Sequence, residues 1–355
     1  MLYTFYNGLY HKFSQSIYHG RSKSTTTTLP LFQQLISHSR AALAKSITLS
    51  ESTLDKHKSE AGDLMSLVLK HNQKKKTLRI GISGPPGAGK STFIEALGLH
   101  ITKLEHKLAV LAVDPSSVKS GGSLLADKTR MQKLSANRSA FIRPSPSRGH
   151  LGGVARTTNN AIQLCEAGGY HVILVETVGA GQSEIAVANM TDIFILLIPP
   201  GSGDELQGIK KGIVEVANIV VVTKADGDLK TAARLIKTEY SRALRLIRRE
   251  ECKGWKPFVS TVSSVTGEGI AELWDDIQDC YQNMLKSGIY TTQREYQRTT
   301  WMWDHIQEDL ITILKTDSSI KNRVKELEAS VRLAKVTPNL AAEHLLDIFL
   351  KKYRN

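Results

Sequence analysis

The stretch Ile82–Gly98, ISGPPGAGKSTFIEALG, decides the reading of this 355-residue chain. It leaves an apolar run, LRIGIS from Leu78, passes through a turn rich in glycine and proline, and enters an amphipathic segment. Gly84, Pro85, Pro86, Gly87, Ala88, Gly89, Lys90 and Ser91 satisfy G-x-x-x-x-G-K-[ST], followed by Thr92, with a strand before and a helix after. Glycines let backbone N–H groups curl round phosphate oxygens, and the helix start adds its dipole. Lys90 neutralises charge on the terminal phosphates, and the Ser91 hydroxyl is a ligand for Mg²⁺. The loop identifies a nucleoside phosphate without choosing its base.

Working outward, β-rich apolar runs recur at LAVLAVD (Leu108), HVILVE (His171), IFILLI (Ile193), IVVVTK (Ile219) and PFVSTVS (Pro257). Amphipathic segments such as 91–106, 154–167 and 229–249 lie between them. Strands apolar on both faces and separated by helices form a mostly parallel, doubly wound α/β sheet, expected over residues 75–288. A helical segment is expected over 51–74, with Leu54, Leu64, Leu67 and Leu69 at helical spacing ahead of the basic run Lys74–Lys76. Residues 289–355 read as charged helices, with Trp301 and Trp303 near the start. Periodicity leaves two roles open for them, a cap on the α/β domain or a dimerisation arm.

Composition excludes several classes. The chain carries a net charge of +13, but much of it lies at the ends, and no nucleic-acid motif or aromatic-basic face accompanies it. Residues 1–50 contain no acid, yet hold Lys12, Arg21, Lys23, Arg40, Lys45 and the run SKSTTTT, the composition of an organelle transit peptide or a disordered basic tail outside the fold. No apolar stretch is long enough to span a membrane. Cys165, Cys252 and Cys280 are too scattered for a disulfide framework or a cysteine zinc site.

Later loops name the base. VVTKAD ends on Asp226, whose carboxylate can accept from the N1–H and N2–H₂ edge of guanine, whereas adenine would set its own acceptor against it. Lys224 can lay its stem along the ring. The pattern resembles the N-K-x-D motif of GTPases, with Thr223 where asparagine is usual, a change expected to weaken the bracing of the loop. VSSVTGEG, with Ser263, Ser264 and Val265, resembles the loop that meets the guanine oxygen. Asp114 and Glu176 each end an apolar strand, so both emerge at the carboxyl edge of the sheet, where hard oxygen ligands suit Mg²⁺.

ETVG, Glu176 to Gly179, stands where most GTPases carry D-x-x-G. Together with AVDPSSVKSGGSLLADKTRM, FIRPSPSRGHLGGVA, ETVGAGQSE and PPGSGDELQGIKKGI, it resembles the metallochaperone-type P-loop GTPases of the MeaB and methylmalonic aciduria type A family, which serve adenosylcobalamin-dependent methylmalonyl-CoA mutase. The likeness runs from about Glu51 to the C-terminus. It implies Mg²⁺ held by Ser91, Asp114, Asp127 and Glu176, with Lys90 and Glu176 carrying catalysis. It implies three switch segments, with Gly179 and Gln182 in the second and Asp204 and Lys210 in the third, which reaches the mutase. It also implies a homodimer in the mitochondrial matrix whose slow GTP hydrolysis is accelerated by its partner, and which leaves adenosylcobalamin to that partner. Rival readings were a small-molecule kinase, against which Asp226 and ETVG argue, and a metal-insertion GTPase, for which a His- or Cys-rich stretch is missing.

Overall fold

The computed structural model describes residues 25–52, 54–72, 76–114, 131–146, 151–177, 182–201, 211–246, 256–317 and 320–354. Two compact units divide the chain after Arg294.

The first unit is built on a seven-stranded sheet in the order β3-β2-β4-β1-β5-β6-β7, every neighbouring pair parallel. The strands are β1 (Leu78–Ser83), β2 (Leu108–Asp114), β3 (Ala140–Pro146), β4 (Val172–Thr177), β5 (Ile193–Ile198), β6 (Ile219–Val222) and β7 (Phe258–Thr261). Every residue of β1, β4, β5 and β6 is buried, as a parallel sheet covered on both faces requires. The helices that follow are α4 (Lys90–Lys103), α5 (Gln132–Ala136), α6 (Leu151–Ala167), α7 (Gln182–Ala188), α8 (Lys211–Val216), α9 (Lys230–Leu246) and α10 (Ile270–Ser287). On one face Phe93, Ile94 and Leu97 of α4 join Trp274 and Ile277 of α10 over Ile80, Ile82 and Ile195 in a single apolar core.

β3 was not among the strands expected from apolar runs. Its sequence AFIRPSP carries Pro144 and Pro146, which supply no N–H to a ladder, and it lies at the sheet edge, where such a strand is tolerated.

The amino-terminal reading needs correction. Residues expected to lie outside the fold form α1 (Thr25–Ile36) and α2 (Arg40–Ser50), ahead of α3 (Asp55–Asn72). All three pack on one another and on α6. Leu35, Leu43 and Ile47 are at most 1% exposed, so this segment belongs to the core despite its lack of acids. Ser39 caps α2 by accepting from the Ala42 N–H, and His38 Nδ1 lies 2.8 Å from the Gly168 carbonyl after α6. Along α3 Leu64 and Val68 are buried, while Leu69, and Leu54 just ahead of the helix, face solvent.

At the edge where β1 and β5 begin, four charged side chains are buried together. Arg294 grips Asp192 through both oxygens (2.6 and 2.8 Å) and reaches Glu166 at 3.1 Å, while Arg79 holds Glu166 at 2.8 Å. Asp192 also accepts from the Arg79 backbone N–H at 2.7 Å. Burial alone would raise the Glu166 carboxyl, but Arg79 and Arg294 outweigh it and hold the group below its usual value.

The second unit comprises the remainder of α11 (Ile289–Thr316), α12 (Lys321–Arg332) and α13 (Pro338–Arg354). α12 packs on α13, and a groove of about 520 Å³ lined by Leu314, Val324, Leu327, Ala341 and Leu345 runs through this unit.

Candidate functional site

The glycine-rich loop leaves β1, the central strand, where the chain has filled one side of the sheet and crosses to the other, the crevice in which open α/β sheets bind ligands. Gly84 is required by close approach: a Cβ there would lie 2.6 Å from the Leu197 carbonyl oxygen. Gly89 caps α4 with a φ of 82° and offers no side-chain acceptor, which leaves the first N–H groups of α4 facing the loop. Lys90 Nζ donates to the carbonyls of Gly84 (2.8 Å) and Pro85 (3.2 Å), folding its ammonium over the loop's mouth. Ser91 is half-buried and Thr92 exposed at the helix start.

Two further loops join this one. Thr223, buried directly after β6, donates from Oγ1 to the Ala88 carbonyl at 2.8 Å, and its N–H bonds Ile198 O at 2.9 Å. The hydroxyl that stands where asparagine is usual thus reaches the phosphate loop directly. Lys224 has a φ of 52°, and its Cε lies 3.9 Å from where a Cβ on Gly89 would stand, which sets the stem alongside the loop. Ser263 Oγ donates to Asp226 Oδ2 and accepts from the Thr266 N–H at 3.1 Å, while Ala225 N–H bonds Val262 O at 3.1 Å. Ser264 is half-buried and Val265 is 84% exposed. Lys90, Lys224, Asp226 and Ser263 thus belong to one hydrogen-bonded assembly of loops at the carboxyl edge of the sheet.

Glu176 is buried near the end of β4, in register with Ile82 of β1 and Ala112 of β2. Asp114 ends β2 and Gln182 begins α7, but their side chains are not among those described. Asp127, Gly179, Asp204 and Lys210 lie outside the described residues. Among the described residues no cluster of three or more metal-ligating side chains assembles.

Sequence reasoning passed over a buried polar chain under the loop. Thr177 Oγ1 donates to Ser83 Oγ at 2.8 Å, and Ser83 Oγ donates to Glu184 Oε1 at 3.0 Å. The available signal was a hydroxyl closing each of two buried strands, β1 and β4.

Compared with known families, residues 43–319 match the model of the methylmalonyl Co-A mutase-associated GTPase MeaB. The chain belongs to the MeaB family. It is 50% identical over 331 residues to the mitochondrial methylmalonic aciduria type A homolog of Mus musculus, a match covering 91% of this chain and 80% of that one. It is 40% identical to the GTPase ArgK of Escherichia coli, covering 88% of this chain and 94% of the other. A solved structure named as an LAO/AO transport system kinase shares the fold with a TM-score of 0.72 and 34% identity, covering 91% of this chain and 98% of that one. The MeaB-family chain is a P-loop GTP hydrolase.

Proposed function

We propose that this MeaB-family GTPase uses GTP turnover as a conformational switch on methylmalonyl-CoA mutase, gating adenosylcobalamin delivery to that enzyme and protecting it. The observation carrying the nucleotide half of this reading is the pair of bonds that join base and phosphate loops, Ser263 on Asp226 and Thr223 on Ala88. A carboxylate fixed beside the phosphate loop accepts guanine's N1–H and N2–H₂, and adenine would leave it facing a lone pair. The mutase half rests on the family's association with that enzyme.

Lys90 is assigned to charge neutralisation on the transferring phosphoryl group, with Gly84, Pro85, Pro86, Gly87, Ala88 and Gly89 shaping the backbone cradle and Thr92 following Ser91. Ser91, Asp114, Asp127 and Glu176 are the proposed Mg²⁺ ligands. A half-buried hydroxyl at the helix start and a buried carboxylate near the end of the adjacent strand are a hard-oxygen set of the right chemistry. Mg²⁺, when bound, supplies neutralisation of the β and γ oxygens. Gly179, Gln182, Asp204 and Lys210 are assigned to the segments that report nucleotide state to the partner. Adenosylcobalamin stays with the mutase.

The matrix of the mitochondrion is the proposed location, supported by the mouse relative's name and the basic, acid-free composition of residues 1–24. A homodimer through the C-terminal helices is supported by exposed Trp303, Leu310, Ile311, Leu346 and Leu350, which call for a cover. The deciding experiment measures GTP and ATP hydrolysis by the full chain with and without purified methylmalonyl-CoA mutase. GTP-selective turnover that rises with the mutase supports the proposal. Turnover indifferent to the mutase removes the client, and equal use of ATP removes the assigned role of Asp226.

A further inference from the structure

Ser83 and Thr177 are fully buried, and Glu184 is 6% exposed. They join three elements at the base of the phosphate loop: the last residue of β1, the last residue of β4, and α7. A hydroxyl has one proton to give. Ser83 spends its proton on Glu184 Oε1 while accepting from Thr177, so the chain of bonds has a fixed direction, Thr177 to Ser83 to Glu184. The second carboxylate oxygen, Oε2, is buried and has no hydrogen-bond partner among the described residues. A buried carboxylate with a bare oxygen is a poor way merely to tie a short helix to a sheet, because an apolar contact would do so without the desolvation cost.

The position gives this chain of bonds its meaning. Ser83 is followed by Gly84, whose carbonyl holds Lys90 Nζ at 2.8 Å and which cannot retreat toward β5, because Leu197 O stands behind it. Ser83, whose hydroxyl the Glu184 carboxylate holds, is therefore one residue removed along the backbone from the carbonyl that places the phosphate-neutralising ammonium. Glu184 lies near the start of α7, the helix that follows residues 178–181 after β4.

We propose that Glu184 is a positioning residue for GTP hydrolysis, which through Ser83 and Thr177 locks the ends of β1 and β4 and sets the place of Lys90, so that movement of α7 is passed to the phosphate loop. This rests on the assignment of Lys90 to the transferring phosphoryl group. Glu184 itself touches no reacting atom. Its bare oxygen is an acceptor that a rearranged α7 can satisfy, which gives the buried carboxyl two arrangements of different hydrogen bonding.

The test uses the full chain with the substitutions Ser83→Ala, Glu184→Ala, Glu184→Gln and the double Ser83→Ala/Glu184→Ala. Readouts are kcat and KM for GTP, the ratio of affinities for fluorescent GTP and GDP analogues, and Tm. Ser83→Ala and Glu184→Ala are each expected to lower kcat about ten-fold, the effect of about 1.4 kcal/mol on a barrier, and to bring the GTP and GDP affinities closer together. The double variant should lose no more than Ser83→Ala alone, because that substitution already removes the one bond that Glu184→Ala takes away. Glu184→Gln keeps an acceptor oxygen for Ser83 and should return kcat to within about three-fold of wild type. A purely structural tie would lower Tm while leaving kcat and the GTP-to-GDP ratio unchanged, and that outcome overturns the proposal. Should Glu184→Ala not fold, Ser83→Ala alone decides by the same readouts. Failure of Lys90→Ala to slow wild-type GTP hydrolysis would remove the underlying assignment, whereas unaffected Ser83→Ala and Glu184→Ala beside an inactive Lys90→Ala remove only this inference.

Discussion

Thr223→Val removes one proton donor and almost no volume from the junction between the base-reading and phosphate loops. The threonine is 2% exposed, its Oγ1 donates to Ala88 O at 2.8 Å, and Ala88 is itself fully buried. Valine keeps the branched shape but leaves that carbonyl without this donor and puts a methyl group against it. The cost is the net hydrogen bond plus the desolvated acceptor, about 1–3 kcal/mol. Thr223→Ser is the control, since it keeps the hydroxyl and gives up one buried methyl, about 1 kcal/mol. Two assays separate the effects. Thermal unfolding should show both variants destabilised, by about 2–4 °C for each kcal/mol in a domain of this size. Equilibrium binding of GTP should separate them: valine loosens the loop that must be ordered to hold phosphate and weakens binding at least about five-fold, whereas serine binds within about two-fold of wild type. Wild-type GTP affinity in Thr223→Val, or an equal loss in Thr223→Ser, would refute the claim that this hydroxyl ties the two loops together.

Asp226→Asn replaces an acceptor pair with one acceptor and one donor, which suits xanthine, whose C2 carries a carbonyl in place of the guanine amine; competition assays should show a shift from GTP to XTP of about 100-fold or more. Arg294→Ala leaves Asp192 and Glu166 buried without their shared guanidinium and should cost about 3–5 kcal/mol in chemical denaturation. In the intact protein Glu166 is held below its usual 4.5, so its share of stability is present above that pH and is lost as pH falls through the lower, folded value; melting curves from pH 7 to pH 3 should show this, and Arg294→Ala should flatten it. Gly84→Ala drives a Cβ to 2.6 Å from Leu197 O and should reduce both stability, by about 1–3 kcal/mol, and nucleotide binding, measured on the same preparation.

How much of this was legible depended on whether the determinant was local. The loop from Gly84 to Ser91 carries its meaning in adjacent residues, and the structure places it between strand and helix as its spacing implies. The parallel sheet was equally plain, because strands buried on both faces read as nearly continuous apolar runs. β3 was hidden because its edge position relieves it of that pattern and admits Pro144 and Pro146. α1 and α2 were hidden for a compositional reason: a segment with no acids resembles a targeting sequence, yet Leu31, Leu35, Leu43 and Ile47 hold the spacing of a buried helix face. Within the site, Asp226 stands out only because its K-x-D follows a later strand of a P-loop chain, and the bonds of Ser83 to Thr177 and Glu184 span more than ninety residues and exist only once β1, β4 and α7 are assembled.

The folded amino-terminal helices also limit how far the chain can be shortened. A cut before Thr25 leaves α1, α2 and α3 on α6, and with them the contact of His38 Nδ1 to Gly168 O at 2.8 Å. A cut at residue 50 strips Leu35, Leu43 and Ile47 from that face and takes away Thr48, to which Arg143 of β3 donates at 3.2 Å. It also leaves Glu51, which Arg143 meets at 2.6 Å, at a frayed chain end. The product would be a GTPase with a bare hydrophobic flank beneath its edge strand, prone to adhere to itself, and any loss of activity in it would report on solubility rather than on chemistry.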